Sequence, residues 1–303
     1  LFKRRQAGDS RIKAPTDKQN DIIQILVTRA CDLFHCSNCT QLLPFRSDPV
    51  HMSVDVFRRA CESVRDWPGI VAMFGGNPCV HPKFPELCEV MSAIIPPEHR
   101  GLWTNNLRGH GKIAAKTFGK GRLNLNAHAD VHAADEMERW FPGRVKTNSR
   151  DTPSWHSPIL MDYRDLDVSD EQWVVLREDC DINKYWSAAI MQRGSDPYAY
   201  FCEVAGAIDG VRGKNHGIPA VPGWWHYKMD RFNHQVRNCC NTGCGVPLRR
   251  RGHLDRDNTY DATERWVPLT VTKRHCVRTV KYKAMPDGTS LATDYLPNTT
   301  CMK

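Results

Sequence analysis

The sequence predicts an α/β fold in which short buried strands alternate with helices. Three observations point there. Brief apolar, often β-branched runs recur between residues 22 and 126. Segments of helical period, with start and stop residues, separate them. Residues of unusual type collect directly after the runs. Strand-then-helix repetition is the pattern of a parallel sheet with right-handed crossovers, and in such sheets ligands meet the C-terminal strand ends.

The first run is Ile22-Ile23-Gln24-Ile25-Leu26-Val27. Ser53 then caps a helix in which Val56, Ala60 and Val64 recur every fourth position, and Pro68-Gly69 ends it. Ile70 to Phe74 forms the second strand, closed by Gly75-Gly76. A helix over 83–95 stops at Pro96-Pro97, and Gly101 to Thr104 is the third strand. A short helix near 111–117 leads to a fourth strand, Arg122 to Asn126, and a helix near 132–140 follows. One more strand is expected around Pro158 to Met161. Ser169 with Gln172 forms a capping box for a helix starting at Asp170. Trp186 to Met191 and Tyr198 to Phe201 flank a hairpin turn through Gly194, and Glu203 to Val211 is helical. The expected organisation is a lead-in over 1–20, a core over 21–175, a cysteine-bearing extension over 176–250, and a basic segment over 251–303 with little periodicity.

The 303 residues correspond to about two domains. Nine Trp, ten Phe and eight Tyr argue against general disorder. No apolar run approaches the roughly 18 residues of a membrane span, so no membrane partner is expected. The net charge of +8 admits an acidic partner without requiring one. Its densest cluster is Arg249-Arg250-Arg251, followed by Lys273, Arg274, Arg278, Lys281 and Lys283. The bland reading of such a stretch is a solvated face, and the sharper one is nucleic-acid binding. Thirteen cysteines, an odd number, fit a disulfide framework poorly. Two tight groups resemble metal-site spacing instead, and thiolates kept reduced for metal point to a cytoplasmic protein.

The first group is Cys31, Cys36 and Cys39, spaced C-x4-C-x2-C on a loop after a strand. Three thiolates can hold three irons of a [4Fe–4S] cluster and leave the fourth iron for a small molecule. Zinc needs a fourth ligand, for which His35 is the candidate, although it adjoins Cys36; unligated thiols are the third reading. The second group offers Cys180, Cys202, Cys240 and Cys244, with Cys239 as a substitute for Cys240. Such a four-thiolate set suits zinc or an iron–sulfur cluster. Gly75-Gly76, followed by Asn77-Pro78, lets backbone approach a ligand, its free N–H and carbonyl groups binding an ammonium or carboxylate; alternatively it is only a tight turn. Cys61, Cys79 and Cys88 read as buried small apolar residues, with Cys79 the best placed to donate a hydrogen atom. His128 and His132 read as surface residues or substrate contacts. Trp224 to Tyr227 reads as core packing or as the wall of a substrate mouth.

These motifs together resemble the radical S-adenosylmethionine (radical SAM) superfamily. The cysteine loop after the first strand is similar to that family's C-x3-C-x2-C, with one residue more between Cys31 and Cys36. Met73-Phe74-Gly75-Gly76-Asn77-Pro78 resembles the family's "GGEP" motif with Asn for Glu, and Val80-His81-Pro82 also fits. Thr104-Asn105-Asn106 resembles its "TNG". The likeness spans about residues 21–165. It implies a partial (βα)6 TIM-like barrel holding a [4Fe–4S] cluster and SAM, with Gly75, Gly76, Asn77, Pro78, Asn105 and Asn126 around the SAM. Reductive cleavage of SAM to a 5′-deoxyadenosyl radical, followed by hydrogen abstraction from substrate, is the implied reaction. An external donor such as flavodoxin or ferredoxin would supply the electron. Phe201 to Ala205 and Asn238 to Gly245 resemble the Twitch or SPASM extension of the same superfamily. That implies a small C-terminal α+β extension with an auxiliary [4Fe–4S] cluster, and an oxidation or dehydrogenation of a small molecule or a modification of a peptide. The rival reading is a zinc-stapled nucleic-acid-binding protein using the basic segment.

Overall fold

Every residue of β1, Ile22–Thr28, is buried, as expected of a central strand covered on both faces. The computed structural model describes residues 12–32, 39–43, 49–127, 130–145, 168–178, 180–242, 244–247, 264–268, 279–284 and 290–296. After β1 come α1 (Val54–Ser63), β2 (Ile70–Gly75), α2 (Phe84–Ile94), β3 (Arg100–Thr104), α3 (Gly111–Phe118), β4 (Arg122–Leu125) and α4 (Val131–Trp140). Then follow α5 (Asp170–Glu178), α6 (Asp181–Tyr185), β5 (Ala188–Arg193), β6 (Asp196–Tyr200), α7 (Glu203–Val211) and β7 (Ile218–Pro219).

Local signals account for these boundaries. The Ser53 side chain accepts a hydrogen bond from Val56 N at the start of α1. At α5 the capping box closes in both directions: Gln172 N donates to Ser169 Oγ at 3.2 Å, and Ser169 N to Gln172 Oε1 at 3.0 Å. Gly194, at φ +57°, turns the β5–β6 hairpin.

The strands form one mixed sheet of order β4-β3-β2-β1-β5-β6-β7. β1 to β4 are mutually parallel, β5 runs parallel to β1, and β6 and β7 are antiparallel additions. Among the described residues the strands thus make a seven-stranded, mostly parallel sheet, in which β5, from the hairpin, covers the edge of β1 that would otherwise lie open. The sheet thus runs across the boundary expected near residue 176. Ile23, Ile25, Val27, Val71, Met73, Leu102 and Leu125 pack under the helices as the main core. The opposite face carries Ile22, Ala72 and Trp103, and beside them Leu26, Ala189, Met191 and Tyr200.

Two expectations change. The described part of the lead-in is docked rather than loose: Lys13 N donates to Asn183 Oδ1 at 2.6 Å, Gln19 N to Lys184 O at 3.1 Å, and Ile12 and Ala14 are buried. The basic segment holds a three-stranded antiparallel sheet of β8 (Glu264–Pro268), β9 (Thr279–Ala284) and β10 (Ser290–Leu296). The strand expected at 158–161 and the Arg249 to Arg251 cluster lie outside the described residues.

Candidate functional site

The C-terminal ends of β1, β2 and β3 are tied into one joint. Gly76 N donates to Thr28 O at 2.8 Å, and Asn77 N to Ala30 O at 2.8 Å. A Cβ on Gly75 would stand 2.1 Å from Thr28 O, and one on Gly76 2.1 Å from Ala30 O and 2.9 Å from Cys31 Cβ. Gly75 also adopts φ +151°, open only to glycine without strain. The close approach that the glycines permit is thus to the cysteine-bearing strand end. This corrects the expectation of free backbone groups there, because the amide N–H groups of Gly76 and Asn77 already have carbonyl partners.

Asn77 is fully buried and hydrogen-bonded in all directions. Its Nδ2 donates to Asp32 Oδ2 at 2.5 Å and Asn106 O at 2.9 Å, while its Oδ1 accepts from Cys79 N at 3.1 Å and Thr104 Oγ1 at 2.7 Å. Asn77 therefore positions the three strand ends and presents no spare polar atom to a ligand. Pro78 is buried at the head of a 3₁₀ turn, Pro78–Val80. Asp32, directly after Cys31, is pushed upward in pKa by burial, an effect opposed by the Asn77 bond and by Arg108, whose Nε lies 3.6 Å away.

Asn105 faces the cysteine loop. Its Nδ2 lies 3.8 Å from Cys31 Sγ, and its buried Oδ1 has no partner. Asn126 stands at the end of β4, its N–H donating to Thr104 O at 3.1 Å. Cys31 and Cys39 are half-buried, and Leu42 N donates to Cys39 O at 2.9 Å; Cys36, His35 and His128 lie outside the described residues. The described cysteines form no disulfide with one another. Cys61, Cys79 and Cys88 are buried, and His132 is exposed. Trp224 and Trp225 are buried, Trp225 packing edge-on against Trp67 at 5.1 Å, so these two are core, whereas His226 is exposed and Tyr227 half-buried.

The second group converges more fully. Cys180, Cys202, Cys239, Cys240 and Cys244 line one pocket, joined by Ile12 from the N-terminal segment. Cys180 precedes α6, Cys202 precedes α7, and Cys239 and Cys240 lie on a π-helical turn, Val236–Cys240. Three anchors hold that turn. Trp173 Nε1 and Arg177 Nη1 donate to Asn241 Oδ1 at 3.2 and 2.6 Å, and Arg212 Nη1 donates to Thr242 Oγ1 at 2.7 Å. Burial pushes the Cys180 thiol up to about 11 and raises Cys202, Cys240 and Cys244 as well, with neighbouring thiols adding to the rise at Cys180, Cys240 and Cys244 and Glu203 to that at Cys202. Left alone, these sulfurs stay protonated; a bound cation is what turns such a set into thiolate ligands.

The five thiols are not equivalent. Cys239 Sγ groups within 4.8 Å with ligand atoms of Asp209 and His216. There Tyr200 Oη donates to Asp209 Oδ2 at 2.7 Å and His216 Nδ1 lies 2.6 Å from Asp209 Oδ1. Among the described residues, no three of Cys180, Cys202, Cys240 and Cys244 are so tightly grouped. Four thiols converging on one pocket suit zinc or an iron–sulfur cluster.

Residues without a sequence motif complete the surroundings. Lys18, buried, donates from Nζ to Asn183 O at 2.8 Å. Burial lowers its pKa, opposed by Cys202, Cys180, Glu203 and Cys240. Glu203 is buried with both carboxylate oxygens outside hydrogen-bond geometry, and burial raises it to about 8, against the influence of Lys18, Thr40 and Gln24. Glu203 adjoins Cys202, and Thr40 adjoins Cys39, so this carboxyl group lies between the two cysteine groups. Glu203 and Thr40 adjoin cysteines in the sequence, whereas nothing local to Lys18 hinted at its place.

The molecule is thus defined as a mixed α/β protein with cysteine sites at one sheet end and beside its hairpin. It matches no family model and no curated protein. One similar solved structure is that of BtrN in complex with AdoMet and 2-DOIA. The likeness covers 80% of this chain and 95% of that one, at 14% identity and a TM-score of 0.40, too slight to carry an argument. No helix among the described residues is long and apolar enough to cross a membrane.

Proposed function

We propose that this protein is a radical SAM enzyme with a second, auxiliary [4Fe–4S] centre. The observation that supports this most is the joint in which Gly76 and Asn77 fasten β2 to Ala30, the residue before Cys31. It holds the cysteine loop at the C-terminal end of a parallel sheet, where cofactors are met in such folds. Cys31, Cys36 and Cys39 would hold the first cluster. Asn105 offers a buried acceptor without a partner to a donor group of the bound SAM. Asn77 fixes the geometry from behind. When bound, the cluster would supply SAM with an electron and so the one-electron chemistry that attacks unactivated C–H bonds.

Cys180, Cys202, Cys240 and Cys244 would hold the auxiliary centre. The convergence of these thiols on one pocket supports a metal centre, and the association of Cys239 with Asp209 and His216 supports Cys240 as the ligand. An auxiliary centre beside the substrate suits oxidation or dehydrogenation of a small molecule, or modification of a peptide. A flavodoxin or ferredoxin would deliver the electron, in the cytoplasm.

The test is anaerobic purification and reconstitution with iron and sulfide. The expected protein is brown, with a reducible cluster visible by electron paramagnetic resonance, and forms 5′-deoxyadenosine from SAM under dithionite. Cys31→Ala is expected to abolish that product while the second group retains its iron. A colourless zinc protein, or full 5′-deoxyadenosine formation by Cys31→Ala, overturns the proposal.

A further inference from the structure

The sheet face opposite the main core contains a hollow near the N-terminal ends of the strands. In register across the strands stand Gln24 on β1, Ala72 on β2, Gly101 on β3 and Arg122 on β4. The two middle residues have almost no side chain, which leaves room for the Trp103 indole between the strands. The indole of Trp103 lies over Gly101, where a Cβ would stand 2.4 Å from its Cζ3. Glycine inside a strand marks a close approach of this kind.

The resulting cavity is about 280 Å³ and is lined by Gln24, Trp103, Arg122, Asn124, Trp186 and Ser187 among others. That approaches the ordinary size of small-molecule sites, roughly 300–1,000 Å³. Two buried acceptors in its wall have no partner, Gln24 Oε1 and Asn124 Oδ1. Gln24 itself is 1% exposed. An orphaned buried acceptor costs roughly 1–3 kcal/mol, and two in one cavity mark a place where donors are expected.

We infer that this hollow binds a neutral polyhydroxylated ring of hexose size. The orphan atoms are carbonyl oxygens, so the ligand must bring hydrogen-bond donors, which excludes a simple anion. Arg122, exposed at the rim, disfavours a cation. Hydroxyl groups satisfy the amide oxygens, and the Trp103 and Trp186 indoles offer broad apolar faces to the C–H side of a ring. The site contains no cysteine. Gln24 also faces Glu203, next to Cys202, so Asn124, on β4, is the acceptor that stands apart from the iron–sulfur proposal.

The experiment uses the full chain as purified, with D-glucose and myo-inositol as probes, followed by saturation-transfer NMR and tryptophan fluorescence. Saturable binding of at least one probe is expected. Asn124→Leu and Gln24→Met each remove one orphan acceptor and are expected to weaken binding about tenfold. Both should keep the far-UV circular dichroism spectrum, and Asn124→Leu should unfold at a higher temperature, since its acceptor without a partner is gone. Weakened binding in either folded variant supports the site. No saturable response from the unmodified protein, or unchanged affinity in both variants, overturns it.

Discussion

Gly76→Ala is the sharpest perturbation of the joint between β1 and β2. The new Cβ would lie 2.1 Å from Ala30 O and 2.7 Å from Ala30 C, so Ala30 must retreat by about 1.3 Å to restore a 3.4 Å contact. That movement opens the Asn77 N to Ala30 O bond and strains Gly76 N to Thr28 O. Overpacking of this kind costs about 1–3 kcal/mol, and two hydrogen bonds add about 1 kcal/mol each. The expected loss is therefore roughly 3–5 kcal/mol. Cys31 follows Ala30 directly, and metal ligands tolerate only about 0.5 Å of displacement. Urea unfolding of the metal-free chain measures the first effect, and iron content after anaerobic reconstitution the second. Gly109→Ala is the control: at φ +78° and with nothing within 4 Å of its Cβ, it should cost only about 1–2 kcal/mol of backbone strain and leave iron loading unchanged. If Gly76→Ala unfolds like the control and loads iron like the unmodified protein, the joint does not position the cysteine loop.

Two further outcomes follow from buried polar groups, one beside this joint and one at the other end of β3. His81 Nδ1 accepts from Lys83 N at 3.0 Å, so its proton sits on Nε2, which donates to Met52 O at 2.9 Å. Burial, then nearby His51, holds its pKa below the ordinary 6.5, so below that pH the unfolded chain takes up a proton more readily than the folded one. Stability should accordingly fall as pH drops from 6.5 toward the lowered folded value, a loss that His81→Gln should reduce in urea midpoints measured across that window; equal losses in both proteins would refute the assignment. Arg100 donates to Ile95 O at 2.7 Å, Ser92 O at 3.0 Å and Thr117 O at 3.2 Å, clamping α2 and α3 to β3. Arg100→Met should cost about 3 kcal/mol or more in unfolding free energy, and Arg100→Lys should not restore it, because the forked geometry is lost.

Much of the fold was legible because its signals are local. The apolar runs at Ile22, Ile70, Gly101 and Arg122 became β1 to β4, and Ser53, Ser169 with Gln172, and Gly194 marked helix starts and a hairpin as their chemistry requires. Long-range pairing was not legible. Nothing in Ala188 to Ile190 says that it will lie beside Ile23 to Ile25, since any apolar strand suits that edge. The alternation in Thr279 to Ala284 was a usable strand signal, overshadowed by the basic residues around it. At the candidate site, cysteine spacing located both groups, whereas the role of Asn77 depended on partners up to 45 residues away. Spacing showed that the glycines permit a close approach, but not that the approaching group is the chain's own Thr28 to Cys31.

The N-terminal segment shows why polarity is a poor guide to burial when an internal site carries charge. Residues 12–20 are mostly polar and read as part of a lead-in. Yet Ile12 lines the cysteine pocket, and Lys18 brings an ammonium group that interacts with Cys180, Cys202, Cys240 and Glu203. A buried ammonium is costly unless negative charge surrounds it, and its pKa is accordingly lowered by burial. Four thiolates holding a metal leave net negative charge in the pocket, whether the centre is zinc or an iron–sulfur cluster. Lys18 is placed to balance part of that charge, with its ammonium tied to Asn183 O only three residues from Cys180. The segment is therefore held against the cysteine pocket through Ile12 and Lys18, a placement that hydropathy alone would not reveal.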